Sequence, residues 1–166
     1  TACGISTGCF LLGGAALSKN FEGIKTRKFG IEIEMTGLTR SQAAKAMANV
    51  LDGRVEHEGG SYDKYIVTDS KNRKWAIVYD GSINCYNANG EHASKSYSVE
   101  MNSPVLKYED IPILQEVVRA LRRAGGVTGP RYCAGTHIHI SAEDYTPQQI
   151  RNLVNIFASK ENFLWA

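Results

Sequence analysis

The residues best suited to chemistry in this sequence occur in two alternating triplets, Glu-Ile-Glu at 32–34 and His-Ile-His at 137–139. Residues two apart on a β-strand point to the same face of a sheet, so each triplet should present its two polar side chains together. Adjacent like charges repel unless a cation lies between them, and imidazole is a common metal ligand. Glu32, Glu34, His137 and His139 therefore indicate a divalent-metal platform. For the glutamates, an ordinary solvent-facing strand surface remains an open alternative.

Three further polar residues lie between the two triplets. Glu100 lies on the predicted strand SYSVEM, and Asp80 and Ser82 belong to the turn sequence DGSI. Taken singly, Asp-Gly is usually only a turn, and Glu100 could be an ordinary surface residue. Three glutamates with an imidazole form a hard, oxygen-rich donor set that suits Mg²⁺ or Mn²⁺ better than a closed zinc site. Such sites typically bind nucleotide phosphates, although neither GxxxxGK[ST] nor GxGxxG occurs in the chain.

The elements that must position these residues follow from hydrophobic alternation and helix-capping signals. Strands are predicted at 27–35, 54–58, 64–69, 73–79, 96–101 and 135–141, and helices at 39–53, 110–124 and from 146 onward. Asn72 marks a hairpin turn, and 84–95 reads as an exposed polar loop. Strands interrupted by helices, with hairpins in the middle, predict an α+β fold with a mainly antiparallel sheet.

Size and composition exclude several classes of protein. The 166 residues suffice for one domain, and a net charge of +2 gives no reason to expect nucleic acid as a partner. The apolar run at 9–17 is too short to cross a bilayer, so no membrane association is expected. The four cysteines form no CxxC pair and are interpreted as free thiols of a cytoplasmic protein. Residues 1–24 are predicted to be a loosely ordered segment preceding a domain at 25–166.

Five motifs in order resemble a known family. FGIEIEMTGLTRSQAA, DGSI, VEMNSPVL, THIHI and TPQQIRNLVNIFASKENFL closely resemble the amidoligase family, which belongs to the carboxylate–amine ligases related to glutamine synthetase and glutamate–cysteine ligase. The resemblance covers residues 27 to 166. It implies a curved, mainly antiparallel sheet with helices on one face, like half of a glutamine synthetase-like catalytic domain.

The resemblance also implies an activity. The implied activity is that of an ATP-dependent ligase in which Mg²⁺ or Mn²⁺ ions bridge the nucleotide phosphates. In such enzymes a substrate carboxylate forms an acyl phosphate, and an amine then displaces phosphate. The substrates implied are a small-molecule or peptide carboxylate and an amine. Phosphoryl transfer depends mostly on positioning and charge neutralisation, which carboxylate-held metals provide.

Carried over to this sequence, the family's roles fall on seven residues. The implied metal ligands are Glu32, Glu34, Glu100 and His137. His137 is alternatively implied to contact the nucleotide phosphates, and His139 to face the nucleotide or the substrate. Glu100, Asp80 and Ser82 are implied to act on the substrate side or next to the metal.

One departure leaves other functions open. Family members carry a second half with further carboxylates and arginines, and this sequence stops before it, so we expect a fragment that associates with its own missing half or with a second copy. The exposed sheet edge would favour such association. The alternatives to a ligase are a non-catalytic metal-binding remnant and a metal-dependent hydrolase, which would need a metal-bound water and no ATP.

Overall fold

The computed structural model describes residue 23 and residues 25–164. The predicted N-terminal segment, with Cys3 and Cys9, lies outside the described residues apart from Gly23. Within the described ranges, no helix is both long enough and apolar enough to cross a membrane.

The described chain is an α+β fold, as predicted. Its strands are β1 (Phe29–Met35), β2 (Arg54–Gly59), β3 (Lys64–Thr68), β4 (Lys74–Val78), β5 (Val99–Asn102) and β6 (Thr136–Ile140), and its helices are α1 (Arg40–Leu51), α2 (Ile111–Arg123), α3 (Pro147–Ser159) and the short α4 (Glu161–Leu164). The strands form one open antiparallel sheet in the order β2-β3-β4-β5-β1-β6. Three short 3₁₀ helices, Lys95–Tyr97, Tyr108–Asp110 and Pro130–Tyr132, lie in the connections.

Helices α1 and α2 cover one face of this sheet and close the core. α1 begins at the predicted capping box, in which the Thr39 side chain accepts from the backbone of Gln42 and the Gln42 side chain accepts from the backbone of Thr39. Its small buried face carries Ala43 and Ala44, which lets the helix approach the strands closely. The fully buried side chains of the core include Met47, Val67, Trp75, Ile77, Val99, Met101, Leu106 and Val117.

Strand β1 brings the predicted site residues together, because it lies between β5 and β6. Glu34 pairs with Glu100 of β5, and Glu32 pairs with His137 of β6. Gly30, two residues earlier, pairs with His139. Residues directly opposite on antiparallel strands have Cβ atoms about 5 Å apart and share a face. The register therefore gathers the polar residues of three strands on the face that α1 and α2 leave uncovered.

The sheet edge at β6 and the helix that follows it expose their apolar residues. Ile138 and Ile140 are 65% and 59% exposed, although they point to the same face as the core residues of β1. Helix α3 forms where predicted, with a capping box at Thr146, but none of its residues is buried. Capping signals act locally and suffice to begin a helix, whereas burial needs a neighbouring surface. No element in the described part of the chain covers these side chains.

Candidate metal centre

Three carboxylates converge on the uncovered face of the sheet. One carboxylate oxygen from each of Glu34, Asp80 and Glu100 lies within 4.8 Å of the others. Glu34 and Glu100 are cross-strand partners on β1 and β5, and Asp80 comes shortly after the end of β4, the strand that pairs with β5. We refer to Glu34, Asp80 and Glu100 as the acidic trio.

Each carboxylate of the acidic trio is oriented by its own hydrogen-bond donor. Glu34 is buried, at 8% exposure, and its Oε2 accepts from the backbone N–H of Gly135 at 2.9 Å. Asp80 Oδ1 accepts from both the backbone N–H and the hydroxyl of Ser82. Glu100 Oε1 accepts from the side-chain amide of Asn102 at 2.8 Å. Groups of the protein itself therefore hold all three carboxylates.

The pKa values of Glu100 and Asp80 shift in opposite directions. Burial raises the pKa of Glu100 above its usual range, and the hydrogen bond with Asp80 and the charges of Glu32 and Asp80 raise it further, whereas the Asn102 amide opposes them. The pKa of Asp80 is lowered, first by the Ser82 hydroxyl and then by the Ser82 backbone N–H. A cation between these carboxylates would relieve the repulsion, and hard oxygen donors suit Mg²⁺ or Mn²⁺.

A second group adjoins the acidic trio on the same face. Glu32 lies between two imidazoles, with Oε2 at 3.2 Å from His137 Nδ1 and Oε1 at 3.2 Å from His139 Nε2. Burial alone would raise the pKa of Glu32, but the hydrogen bonds from His139 and His137 outweigh it and lower the pKa. The pKa of His137 is raised, first by its hydrogen bond to Glu32 and also by the charges of Glu34 and Glu100. The pKa of His137 therefore depends both on Glu32 and on two members of the acidic trio.

The structure brings six of the seven predicted site residues to one face in two groups, of which only Glu34, Asp80 and Glu100 have oxygens close enough together to share a cation. The six are Glu32, Glu34, Asp80, Glu100, His137 and His139. Ser82 is close, but its hydroxyl and backbone N–H both donate to Asp80. Two residues that hold the acidic trio were not predicted. Asn102 could have been found, because it lies two residues beyond Glu100 on the same strand face. Gly135 contributes only its backbone N–H, which no residue pattern reveals.

A cavity of about 660 Å³ opens beside the Glu32–histidine group. Its lining includes Gly30, Glu32 and His139, with Pro104 and Val105 from the segment after β5. Pockets of roughly 300–1,000 Å³ accommodate small-molecule ligands. The face thus combines a carboxylate cluster, two imidazoles and a ligand-sized cavity.

Comparison with known families identifies the family of the chain. A family model described as "Putative amidoligase enzyme" matches residues 25–166. The chain belongs to the amidoligase family. Amidoligase family membership confirms the resemblance drawn from the five motifs and indicates an amide-bond-forming ligase in general terms. A search of curated proteins and a search of solved structures each return no match.

The contact between Glu32 and His137 predicts that the stability of this amidoligase family member depends on pH. Because the folded pKa of His137 is raised above the unfolded value of 6.5, its protonated form stabilises the fold fully below that value. The stabilisation is lost as the pH rises through the folded pKa. Histidine ring resonances, titrated by NMR in EDTA, should show a His137 pKa above 6.5. Glu32→Gln should lower that pKa, and an unchanged titration in this variant would contradict the assignment.

Proposed function

We propose that this protein is an ATP-dependent carboxylate–amine ligase that works through an acyl-phosphate intermediate with Mg²⁺ or Mn²⁺. The observation that carries the proposal is the acidic trio, whose oxygens lie within 4.8 Å of one another in a chain of the amidoligase family. Phosphoryl transfer needs charge neutralisation and positioning more than covalent help from the protein, and a carboxylate-held divalent ion meets that need.

The donor set fits the metal that this chemistry requires. Glu34, Asp80 and Glu100 would hold the ion through oxygen atoms. His137, from the adjoining group, is proposed to add a nitrogen. When bound, such an ion neutralises the negative charge of the nucleotide phosphates and of the transferred group. Two members of the trio favour this role, because hydrogen bonds from Ser82 lower the pKa of Asp80, and a cation would oppose the burial and like charges that raise the pKa of Glu100.

The proposed reaction has two steps. An oxygen of the substrate carboxylate bonds to the γ-phosphorus of ATP while the bond between that phosphorus and the bridging oxygen breaks, which releases ADP. The amine nitrogen then bonds to the acyl carbon, the carbon–oxygen bond to phosphate breaks, and the amine gives a proton to water. The products are an amide, ADP and phosphate.

The residues around the acidic trio take positioning roles in this proposal. His139 and His137 are exposed and can donate hydrogen bonds to phosphate oxygens. The 660 Å³ cavity beside Glu32 and His139 offers room for part of the nucleotide or for a substrate. Ser82 keeps the Asp80 carboxylate oriented through two hydrogen bonds. Each of these roles can be removed by one substitution.

Nucleotide products test the proposal directly. The chain is incubated with Mg²⁺, ATP, a panel of amino acids and acidic peptides, and a panel of amines, and nucleotides are resolved by chromatography. ADP release that requires both an acid and an amine is the expected result. AMP as the product would contradict the acyl-phosphate route, and hydrolysis of the panel without ATP would favour a metal-dependent hydrolase. Absence of both turnover and Mg²⁺-dependent binding of a non-hydrolysable ATP analogue would contradict a ligase role.

A further inference from the structure

Arg40 is a buried cation hydrogen-bonded to the backbone segment that leads into β5. It is the first residue of α1, and its side chain is only 7% exposed. Its Nη1 donates to the backbone carbonyl oxygens of Lys95 at 2.8 Å and of Ser98 at 2.6 Å. Its Nε and Nη2 both donate to Asp63 Oδ2, at 3.0 and 2.6 Å. One guanidinium therefore joins α1, the turn that carries Asp63 and the segment that leads into β5.

Ser98 continues this chain of contacts to the acidic trio. Its side chain is fully buried, and its hydroxyl donates to the Asp80 carbonyl oxygen while it accepts from the Asp80 backbone N–H at 3.0 Å. Ser98 also directly precedes β5, in which Glu100 is the second residue. The backbone that Arg40 holds is thus the backbone that places two members of the trio, Asp80 and Glu100.

The chemistry of the guanidinium explains why an arginine suits this position. Burial of a cation is costly unless its donors are satisfied, and here they reach three acceptors on two separate segments. A lysine side chain has one nitrogen, so it cannot reproduce the planar guanidinium that reaches carbonyl oxygens on one side and a carboxylate on the other. Asp63 is itself held at a positive φ of 42°, a strained conformation that the ion pair helps to maintain.

We propose that Arg40 is a positioning residue for the metal centre, acting through Ser98 on Asp80 and Glu100. This inference rests on the proposed function, because it assumes that the acidic trio binds a divalent cation. Among the described residues, Arg40 makes no hydrogen bond or ion pair with the trio. Its effect is to fix the segment whose hydroxyl holds the Asp80 backbone, as outer-shell groups do in other metal sites.

The test separates site geometry from fold stability by using a matched arginine. Arg73 is also a largely buried guanidinium with two carboxylate partners, Asp69 and Asp110, and neither belongs to the trio. Mn²⁺ affinity is measured by calorimetry and Tm is measured in EDTA for the wild type and for Arg40→Gln, Arg40→Lys and Arg73→Gln. We expect Arg40→Gln to weaken Mn²⁺ binding by about 10- to 100-fold, with a smaller loss for Arg40→Lys. Arg73→Gln should lower Tm but change the Mn²⁺ Kd by less than about twofold.

Ser98→Ala extends the test and keeps it decisive if Arg40→Gln does not fold. The variant retains Arg40 and removes a single oxygen, and it should also weaken Mn²⁺ binding. Because the two residues act in series, Arg40→Lys combined with Ser98→Ala should lose less affinity than the sum of the two single losses. Wild-type Mn²⁺ affinity in both Arg40→Lys and Ser98→Ala would overturn the positioning role while leaving the proposed function intact. A wild-type chain that binds no Mn²⁺ would instead overturn the metal centre itself.

Discussion

Replacing Glu34 with glutamine should lower the affinity of the acidic trio for Mn²⁺ by at least about 100-fold, because it removes a ligand where even outer-shell changes cost 10- to 100-fold. Glu34 is the most buried member of the trio, so water cannot readily substitute for its charge. The amide of glutamine has nearly the same shape, and its oxygen can still accept from the Gly135 N–H. The expected loss is therefore one of charge and ligand strength, with the fold retained.

Calorimetric titration with Mn²⁺, together with ADP release under the ligase conditions, measures this loss. Glu58→Gln is the matched control, since Glu58 is a strand glutamate that pairs with Lys64 near the opposite edge of the sheet. The control should bind Mn²⁺ as the wild type does. Equal Mn²⁺ affinity in Glu34→Gln and the wild type would remove Glu34 from the metal centre.

The largest effect on stability is expected at Trp75. Its side chain is fully buried in the core between the sheet and α1, and its indole Nε1 donates to Asp69 Oδ2 at 3.2 Å. Trp75→Ala leaves a cavity and removes that donor, so we expect the free energy of unfolding to fall by about 3–5 kcal/mol. Domains of this kind have a total stability of about 5–15 kcal/mol, so the variant should be close to unfolding.

Urea denaturation followed by far-UV circular dichroism gives the difference in the free energy of unfolding. Lys74→Ala serves as the control, because Lys74 is the exposed neighbour of Trp75 on β4 and should change stability by no more than about 0.5 kcal/mol. A loss below about 1 kcal/mol in Trp75→Ala would show that the core tolerates the cavity and that the described packing is wrong.

Short-range patterns predicted most elements of the fold. Alternation located β1 and β6, the capping box at Thr39 began α1, and Asn72 takes the positive φ of 61° that a tight hairpin turn accepts. These features depend on residues within a few positions of one another. They therefore remain visible in a single sequence.

The pairing of distant strands could not be predicted in the same way. Glu34 pairs with Glu100, and Glu32 pairs with His137 105 residues away, and alternation does not encode such distant pairings. The unequal burial of the two glutamates follows from this register, because the Gly135 backbone covers Glu34 while the Glu32 side chain remains 31% exposed. Sequence indicated that Asp80 lies in a turn, but its place in the trio depends on Ser82 and Ser98, which hold it from two different segments.

The open edge at β6 has a consequence for regulation of the site. Within the described chain, β6 pairs only with β1, so the strand that carries His137 and His139 has one side available for backbone pairing. A strand that pairs there would restrict the movement of β6 and of both imidazoles. If this restriction strengthens cation binding by some factor, the bound cation must strengthen strand pairing by the same factor. Edge pairing and metal affinity are therefore expected to be reciprocally coupled through β6.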